Sequence, residues 1–516
     1  MPASRLRVVI LKPSKYGEDG LVERFRWGFM PNGTVPHLKS MTPDRVGGVP
    51  CEVHAIDEYV HTDLGYLSLL RAEPGVSTLL ALVGVQSHQL HRALDLAAYA
   101  REHGVAFAVL GGPHAMTCDT SMLQGRGLSF SLSEAEVDWM DILEDAARGE
   151  LRPVYGGERR WAARLDPPVL QPPSRRELRR YALPMVGVTP ARGCPFACNF
   201  CSVIKIAGRQ MRSEPVETTL SSLRAARAAG VRFVMFTSDN FNKIPGVDEL
   251  LQAMIDERVR IPFFVQCDAQ LPRQPELVAL LARAGCFQVF VGVESFSSEV
   301  LRAAHKFHNA PERYGEIVRL ARRHGITTHF SNILGFPGDT EEAILEHLRA
   351  LRALGPDVAS FYILTPIPGT EQYDDFLREG RITETDLDRF DGTCPTWRHP
   401  ALEGARLRDL LFRCYGEFYG LPDVAAKAAR AAASRWDHRT AGTLLALVGL
   451  SVHARANAWM RSHPMAGGTA RVRRDQLSDY LPLRRRMFGL ERAPLPKSLA
   501  LSRADQEINR TARLVG

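Results

Sequence analysis

Three cysteines within ten residues carry the clearest chemistry in this chain: Cys194, Cys198 and Cys201 in the run Arg192-Gly193-Cys194-Pro195-Phe196-Ala197-Cys198-Asn199-Phe200-Cys201. Thiolates spaced C-x3-C-x2-C on one short loop suit three irons of a cubic [4Fe-4S] cluster and leave the fourth iron without a protein ligand. Such an iron is open to an outside amino and carboxylate group and can pass one electron into the molecule that brings them. Gly193 lets the backbone turn tightly before the first cysteine, and Pro195 stiffens the loop after it. A structural zinc site favours four protein ligands in paired C-x2-C units, which this loop does not offer.

The surrounding pattern predicts elements able to position such a loop. Upstream, 7–11 and 78–85 read as apolar strands buried on both faces, 90–103 as a helix and 105–110 as a strand. Strand, helix, strand in that order predicts a doubly wound α/β sheet with its ligand loops at the carboxyl ends of the strands, here 86–91 and 111–114. Four prolines between 165 and 176 predict a semi-rigid linker. Downstream, strands are expected at 185–188, 231–236, 262–266, 287–293, 328–334 and 359–364, with helices between them; that over 213–229 would be capped by Ser213. Six βα units make a partial, open-sided (β/α)6 barrel whose active end lies where its strands finish. Polar residues cluster at those ends: Ser238, Asp239 and Asn240, then Gln266 and Asp268, then Glu294 and Ser295, and the turn that begins at Gly335.

The triad with an aromatic residue just before its last cysteine, followed by Gly292-Val293-Glu294-Ser295, Lys306 and Gly335-Phe336-Pro337-Gly338-Asp339-Thr340, resembles the radical S-adenosylmethionine (SAM) superfamily. The upstream part is similar to the cobalamin-binding domain of one large subgroup, which commonly carries Gly-Gly-x-His where this chain has Gly111-Gly112-Pro113-His114. The resemblance implies a [4Fe-4S] cluster on Cys194, Cys198 and Cys201. It implies SAM contacts from Phe200, Ser238, Asp239, Asn240, Gln266, Glu294, Ser295 and Gly335. Cobalamin contacts are implied for Gln86, Ser87, His88, Gln89, Gly111, Gly112, His114 and Glu134, although Ser133 stands where relatives usually have glycine. The Asp-x-His-x-x-Gly signature that supplies histidine to the lower face of cobalt is absent. An unligated lower face is therefore expected, with His88 and His91 as the alternatives. The implied activity is C-methylation of an unactivated carbon, using a 5'-deoxyadenosyl radical and methylcobalamin. Oxidative cyclisation or rearrangement, polar methyl transfer without a radical, and a non-catalytic iron-sulfur sensor are the alternatives.

The division expected is a cobalamin-binding-like α/β domain at 1–164, a linker at 165–180, the barrel at 181–395 and a mainly helical region at 396–516. With 516 residues, 45% hydrophobic and 24% charged, the composition is that of ordinary globular protein. A formal charge of +7 without a basic stripe of interleaved aromatics argues against nucleic acid. The longest late apolar run, 441–452, is too short to span a bilayer, so no membrane partner is expected. No export signal is evident, and nine cysteines predict a reducing, cytoplasmic setting. A small-molecule or carrier-bound substrate and a one-electron reductant such as flavodoxin or ferredoxin complete the expected partners. The arginine knots at Arg471, Arg473 and Arg474 and at Arg484, Arg485 and Arg486 read as a solvated face. Trp397, Arg398 and His399 are placed to reach over the barrel mouth.

Overall fold

A computed structural model describes residues 4–433, 438–464 and 467–511. The first sheet has seven strands in the spatial order Arg45–Val46, Val49–Asp57, Arg5–Lys12, Val76–Leu82, Phe107–Gly111, Ser129–Ser131 and Val154–Tyr155. All neighbours pair in parallel except the edge strand Arg45–Val46. The central strands carry the buried apolar stretches Val8–Leu11 and Leu79–Leu82, as burial under helices on both faces requires. The chain order reverses between Arg5–Lys12 and Val76–Leu82, which creates a crevice at their carboxyl ends. The expected strand at 78–85 ends instead at Leu82, because Gly84 adopts φ +59 and takes the chain out of the sheet.

The second sheet is all parallel and runs in sequence order: Met185–Val188, Phe233–Phe236, Phe263–Cys267, Cys286–Glu294, Thr327–Leu334 and Val358–Ile363. Helices Val216–Ala228, Val247–Asp256, Pro275–Ala284, Tyr314–Arg323 and Glu341–Leu354 bury one apolar face each against it. This is the open (β/α)6 barrel. Ser213 does not cap the first of these helices; it pairs in a two-residue strand with Ala191, and Pro215 stands at the cap without a side-chain bond. The last strand would leave open backbone groups at the barrel edge. Helix Gly404–Phe418 covers them: Tyr415 Oη donates to Phe361 O and accepts from Phe361 N–H, both at 3.0 Å, and Tyr419 Oη does the same with Ala359 at 2.7 and 3.1 Å.

The C-terminal region is mainly helical, but it serves both sheets. Helices Gly404–Phe418, Leu421–Ala433 and His438–Trp459 follow one another after the barrel. Strand Gly468–Arg471 pairs with Phe25–Gly28 near the N-terminus, and helix Leu477–Phe488 lies on helix Leu90–Glu102 of the first sheet. The second arginine knot is therefore only partly solvated. Arg484 is buried, binding Asp95 Oδ1 through Nε at 2.6 Å, whereas Arg485 and Arg486 are exposed.

A buried charge network anchors this return. Glu58 accepts from Arg24 and Arg92, each at 2.6 Å, and Asp475 binds the same two guanidiniums and Tyr480 Oη. Burial alone would raise the Glu58 carboxyl, but Arg92 and Arg24 hold it far below the usual range. Its contribution to stability is thus complete above its ordinary value of 4.5 and disappears as pH falls below that. Replacing Asp475 with alanine leaves two buried guanidiniums short of an acceptor and is expected to cost ~3 kcal/mol. A lower thermal midpoint and earlier proteolytic release of the C-terminal segment would report it; an unchanged midpoint would show that the network does not anchor that segment.

Candidate cluster and cofactor site

The cysteine loop leaves the strand Met185–Val188 at the carboxyl end of the barrel. Gly193 has φ +112, and a Cβ there would lie 2.2 Å from Gln210 O, so only glycine lets the loop fold back over this backbone. Burial pushes the thiols of Cys194 and Cys201 up to about 12, and the neighbouring cysteines and Asp239 add to the effect. Asn240 Nδ2 donates to Cys194 Sγ at 2.9 Å. The donor set fits the expected cluster: three sulfurs converge from one loop, with an amide donor and the cation Lys306 beside them.

Around this loop the polar strand ends divide into two kinds. Ser238 is occupied: its hydroxyl donates to Ala191 O at 2.7 Å and accepts from Ala191 N–H at 3.1 Å, tying the second strand to the start of the loop. Ser295 accepts from Ser297 N–H. Asp339 Oδ2 accepts from Gly335 N–H and Phe336 N–H, both at 2.9 Å, which closes the turn after the fifth strand. Phe200 packs edge-on to Phe336 with centroids 5.8 Å apart. His399 binds Phe336 O and Trp397 Nε1 donates to Leu364 O, so their turn does lie against the ends of the last two strands.

Asp239, Gln266 and Glu294 are the available ones. Burial raises Asp239 to about 6. Gln266 is half-buried on the third strand. Glu294 sits at φ +61 in a break of register at the end of the fourth strand. A non-glycine residue in that region marks a conformation held by its surroundings. Asn309 Nδ2 holds it, donating to Gly292 O and Val293 O at 3.0 and 2.9 Å, together with Tyr314 Oη, which donates to Val293 O. Glu294 Oε1 lies 3.3 Å from Lys306 Nζ, while its buried Oε2 has no partner. An unpaired buried carboxylate oxygen beside the cysteine loop suits the ammonium or ribose hydroxyls of SAM.

The first sheet presents its crevice to the same place. A cavity of about 410 Å³ runs between Gly111 and Gly112, the helix residue Trp139, and Thr189, Arg192 and Thr237 of the barrel. Gly112 has φ +123, and a Cβ would lie 2.4 Å from Val85 N and 2.6 Å from Gly84 Cα; the two turns form one close-packed floor. A second cavity of about 220 Å³ joins Gln86, Ser87 and His88 to Ser202 and Ile206, just after the last cysteine. Mostly apolar walls over a glycine floor, rimmed by polar loop residues, suit part of a corrinoid, such as its nucleotide tail.

Individual expected contacts differ in availability. Gln89 accepts from Lys12 Nζ at 2.7 Å, and Ser87 Oγ lies 3.0 Å from His114 Nδ1; both are spent within the loop. His88 remains on the wall of the second cavity, and burial lowers it to about 3, which keeps the imidazole neutral. His91 is turned away: its Nε2 accepts from Ala493 N–H at 2.9 Å and its Nδ1 lies 3.1 Å from Asp388. Glu134 lines the larger cavity but grips Arg212 at 2.7 and 2.8 Å. Glu136 grips Arg192 at 2.7 and 2.8 Å and His37 at 2.8 Å. This clamp between the two halves, and the pair Asn309 and Tyr314, went unread in the sequence, where isolated charges and one amide beside no motif carry no signal.

Residues 188–351 match the Radical SAM superfamily. The bacteriochlorophyllide d C-8(2)-methyltransferase of Chlorobaculum tepidum is 24% identical over 452 residues, covering 83% of this chain and 93% of that protein. Among solved structures, the radical SAM methyltransferase TsrM from Kitasatospora setae superposes with a TM-score of 0.58 at 18% identity, over 74% of this chain and 78% of its own. The cobalamin-dependent SAM radical enzyme OxsB gives 0.58 at 14%, over 86% and 71%. Residues 188–351 thus form a radical SAM domain, and the chain around it shares the overall fold of TsrM and OxsB.

Proposed function

We propose that this protein is a cobalamin-dependent radical SAM C-methyltransferase acting on an unactivated carbon, in a reducing cytoplasm that supplies a one-electron donor. The observation that carries the reading is the shared chamber: cavity walls are built jointly from the ligand loops of the first sheet and from residues flanking the cysteine triad. When bound, the cluster and SAM supply a carbon-centred radical and cobalamin supplies a transferable methyl group.

The chain's own residues position and enclose. Cys194, Cys198 and Cys201 would hold the cluster through three of its irons, and Asn240, which donates to Cys194 Sγ, would orient the first thiolate. Glu294, fixed by Asn309 and Tyr314, offers its free oxygen to the cosubstrate, while Lys306 keeps the carboxylate from being isolated in an apolar site. Phe200, Phe336 and Trp397 form an apolar wall at the cluster side and exclude water. Gln86, Ser87 and His88 face Ser202 and Ile206 across the gap, where the corrinoid and a small or carrier-bound substrate would meet. The neutral His88 is a polar group on that wall without a charge to desolvate.

Two experiments test the reading. Replacing Glu294 with glutamine removes a charge-assisted contact and is expected to weaken SAM binding by roughly tenfold in calorimetry, with a lower melting temperature because buried Lys306 loses its counter-charge; an unchanged dissociation constant in the folded variant would remove Glu294 from the site. Anaerobic turnover with dithionite, cobalamin and SAM labelled in its methyl group should form 5'-deoxyadenosine and S-adenosylhomocysteine, both lost in Cys201→Ala. S-adenosylhomocysteine without deoxyadenosine would replace the radical route by polar methyl transfer. Deoxyadenosine without methyl transfer would favour cyclisation or rearrangement.

A further inference from the structure

The apolar run at 441–452 plays no part in the chemistry above. It forms the middle of the 22-residue helix His438–Trp459. One side of that helix is buried: Leu447 packs on Val358 of the last barrel strand, and Ala454 and Ala458 join the barrel core. The other side carries Leu445, Val452 and Trp459, which are 62%, 54% and 86% exposed. They are spaced by seven residues, so they share one face. Gly442, Ala446, Gly449 and Ala456 are also exposed, and Met460 continues the face at 60%. Uncharged over most of its length, this stripe is not the ordinary solvent side of a surface helix.

Charge adds a second, independent observation. From His438 to Arg474, 37 residues contain no aspartate or glutamate and six arginines: Arg439, Arg455, Arg461, Arg471, Arg473 and Arg474. Met460 and Arg461, at the end of the helix, line a cleft of about 640 Å³ whose wall mixes Arg408, Arg471 and Arg473 with Glu18, Asp19 and Glu23, so the positive charge of this face rests on the acid-free segment itself. Arg461 and Arg473 pair with Asp409 and Asp19, but at 56% and 65% exposure. Such surface pairs are worth little and exchange readily for another anion.

We propose that this face docks the protein onto the surface of a bilayer rich in anionic lipid. Leu445, Val452 and Trp459 enter the boundary between headgroups and acyl chains, Trp459 sits at the interface where an indole is favoured, and the arginines meet lipid phosphates. Attachment is to the surface only, since among the described residues no helix is long and apolar enough to cross a membrane. A second copy of this chain fits less well, because a two-fold contact would set one acid-free, arginine-bearing segment against another.

Flotation of the full chain with defined vesicles tests the proposal. The protein should float with phosphatidylcholine vesicles containing roughly 30% phosphatidylglycerol, much less with phosphatidylcholine alone, and less again in about 0.5 M NaCl. Leu445→Glu/Val452→Glu, at two exposed positions, should weaken binding at least ~tenfold without altering the melting temperature. As a check that spares the fold, anionic vesicles should shift the wild-type tryptophan emission to the blue, and Trp459→Phe should remove that shift. No flotation with anionic vesicles, or equal flotation of the double variant, would overturn the proposal. So would a dimer in light scattering that the double variant dissociates, since the face would then belong to a second copy.

Discussion

Four largely buried charges hold the cluster loop against the first sheet. Glu134 and Glu136, at the start of a helix of the first sheet, grip Arg212 and Arg192 of the cysteine-loop region in two bidentate pairs, with His37 on the same carboxylate as Arg192. Burial would raise the Glu136 carboxyl, but His37 and Arg192 hold it far below the usual range, so both partners stay ionised. Bidentate guanidinium–carboxylate geometry tolerates little sliding or rotation. Arg192 is two residues from Cys194. The clamp therefore holds the cluster loop against the carboxyl ends of the first sheet.

What the clamp brings together follows from parallel sheets. Each collects its loops at the carboxyl ends of its strands, the first at the reversal between Arg5–Lys12 and Val76–Leu82, the second around the barrel mouth. Two glycines then decide how closely the backbone can approach: Gly193 beneath the cysteine loop and Gly112 against the turn at Gly84. The C-terminal segments lock both halves from outside, with tyrosines on the edge of the last strand and Asp475 among the arginines of the first sheet.

The legible parts of the sequence were those with local signals. The cysteine spacing, the buried apolar strands and the glycine-bearing turns all state their constraint within a few residues, and the six barrel strands lie within about three residues of their expected bounds. Ser213 failed as a helix cap because the short pairing with Ala191 claimed it first. Arg484 was read as solvated because its partner Asp95 is 389 residues away. Glu134 offered the same difficulty: as a lone acid near a loop it resembled a cofactor contact, and only the fold shows it gripping Arg212. The free oxygen of Glu294 could be read from its motif, but the left-handed backbone that aims it depends on Asn309 and Tyr314, which no motif marks.

The central claim is that one chain holds both cofactors through separable sets of residues in a shared chamber. The most direct measurement is corrinoid and iron stoichiometry on the same anaerobically reconstituted samples, comparing the wild type with Gly112→Val and with the triple cysteine-to-alanine variant. The glycine variant should keep its four irons and lose the corrinoid spectrum, while the cysteine variant should lose iron and keep the corrinoid. A folded Gly112→Val protein with an undiminished corrinoid content would contradict it.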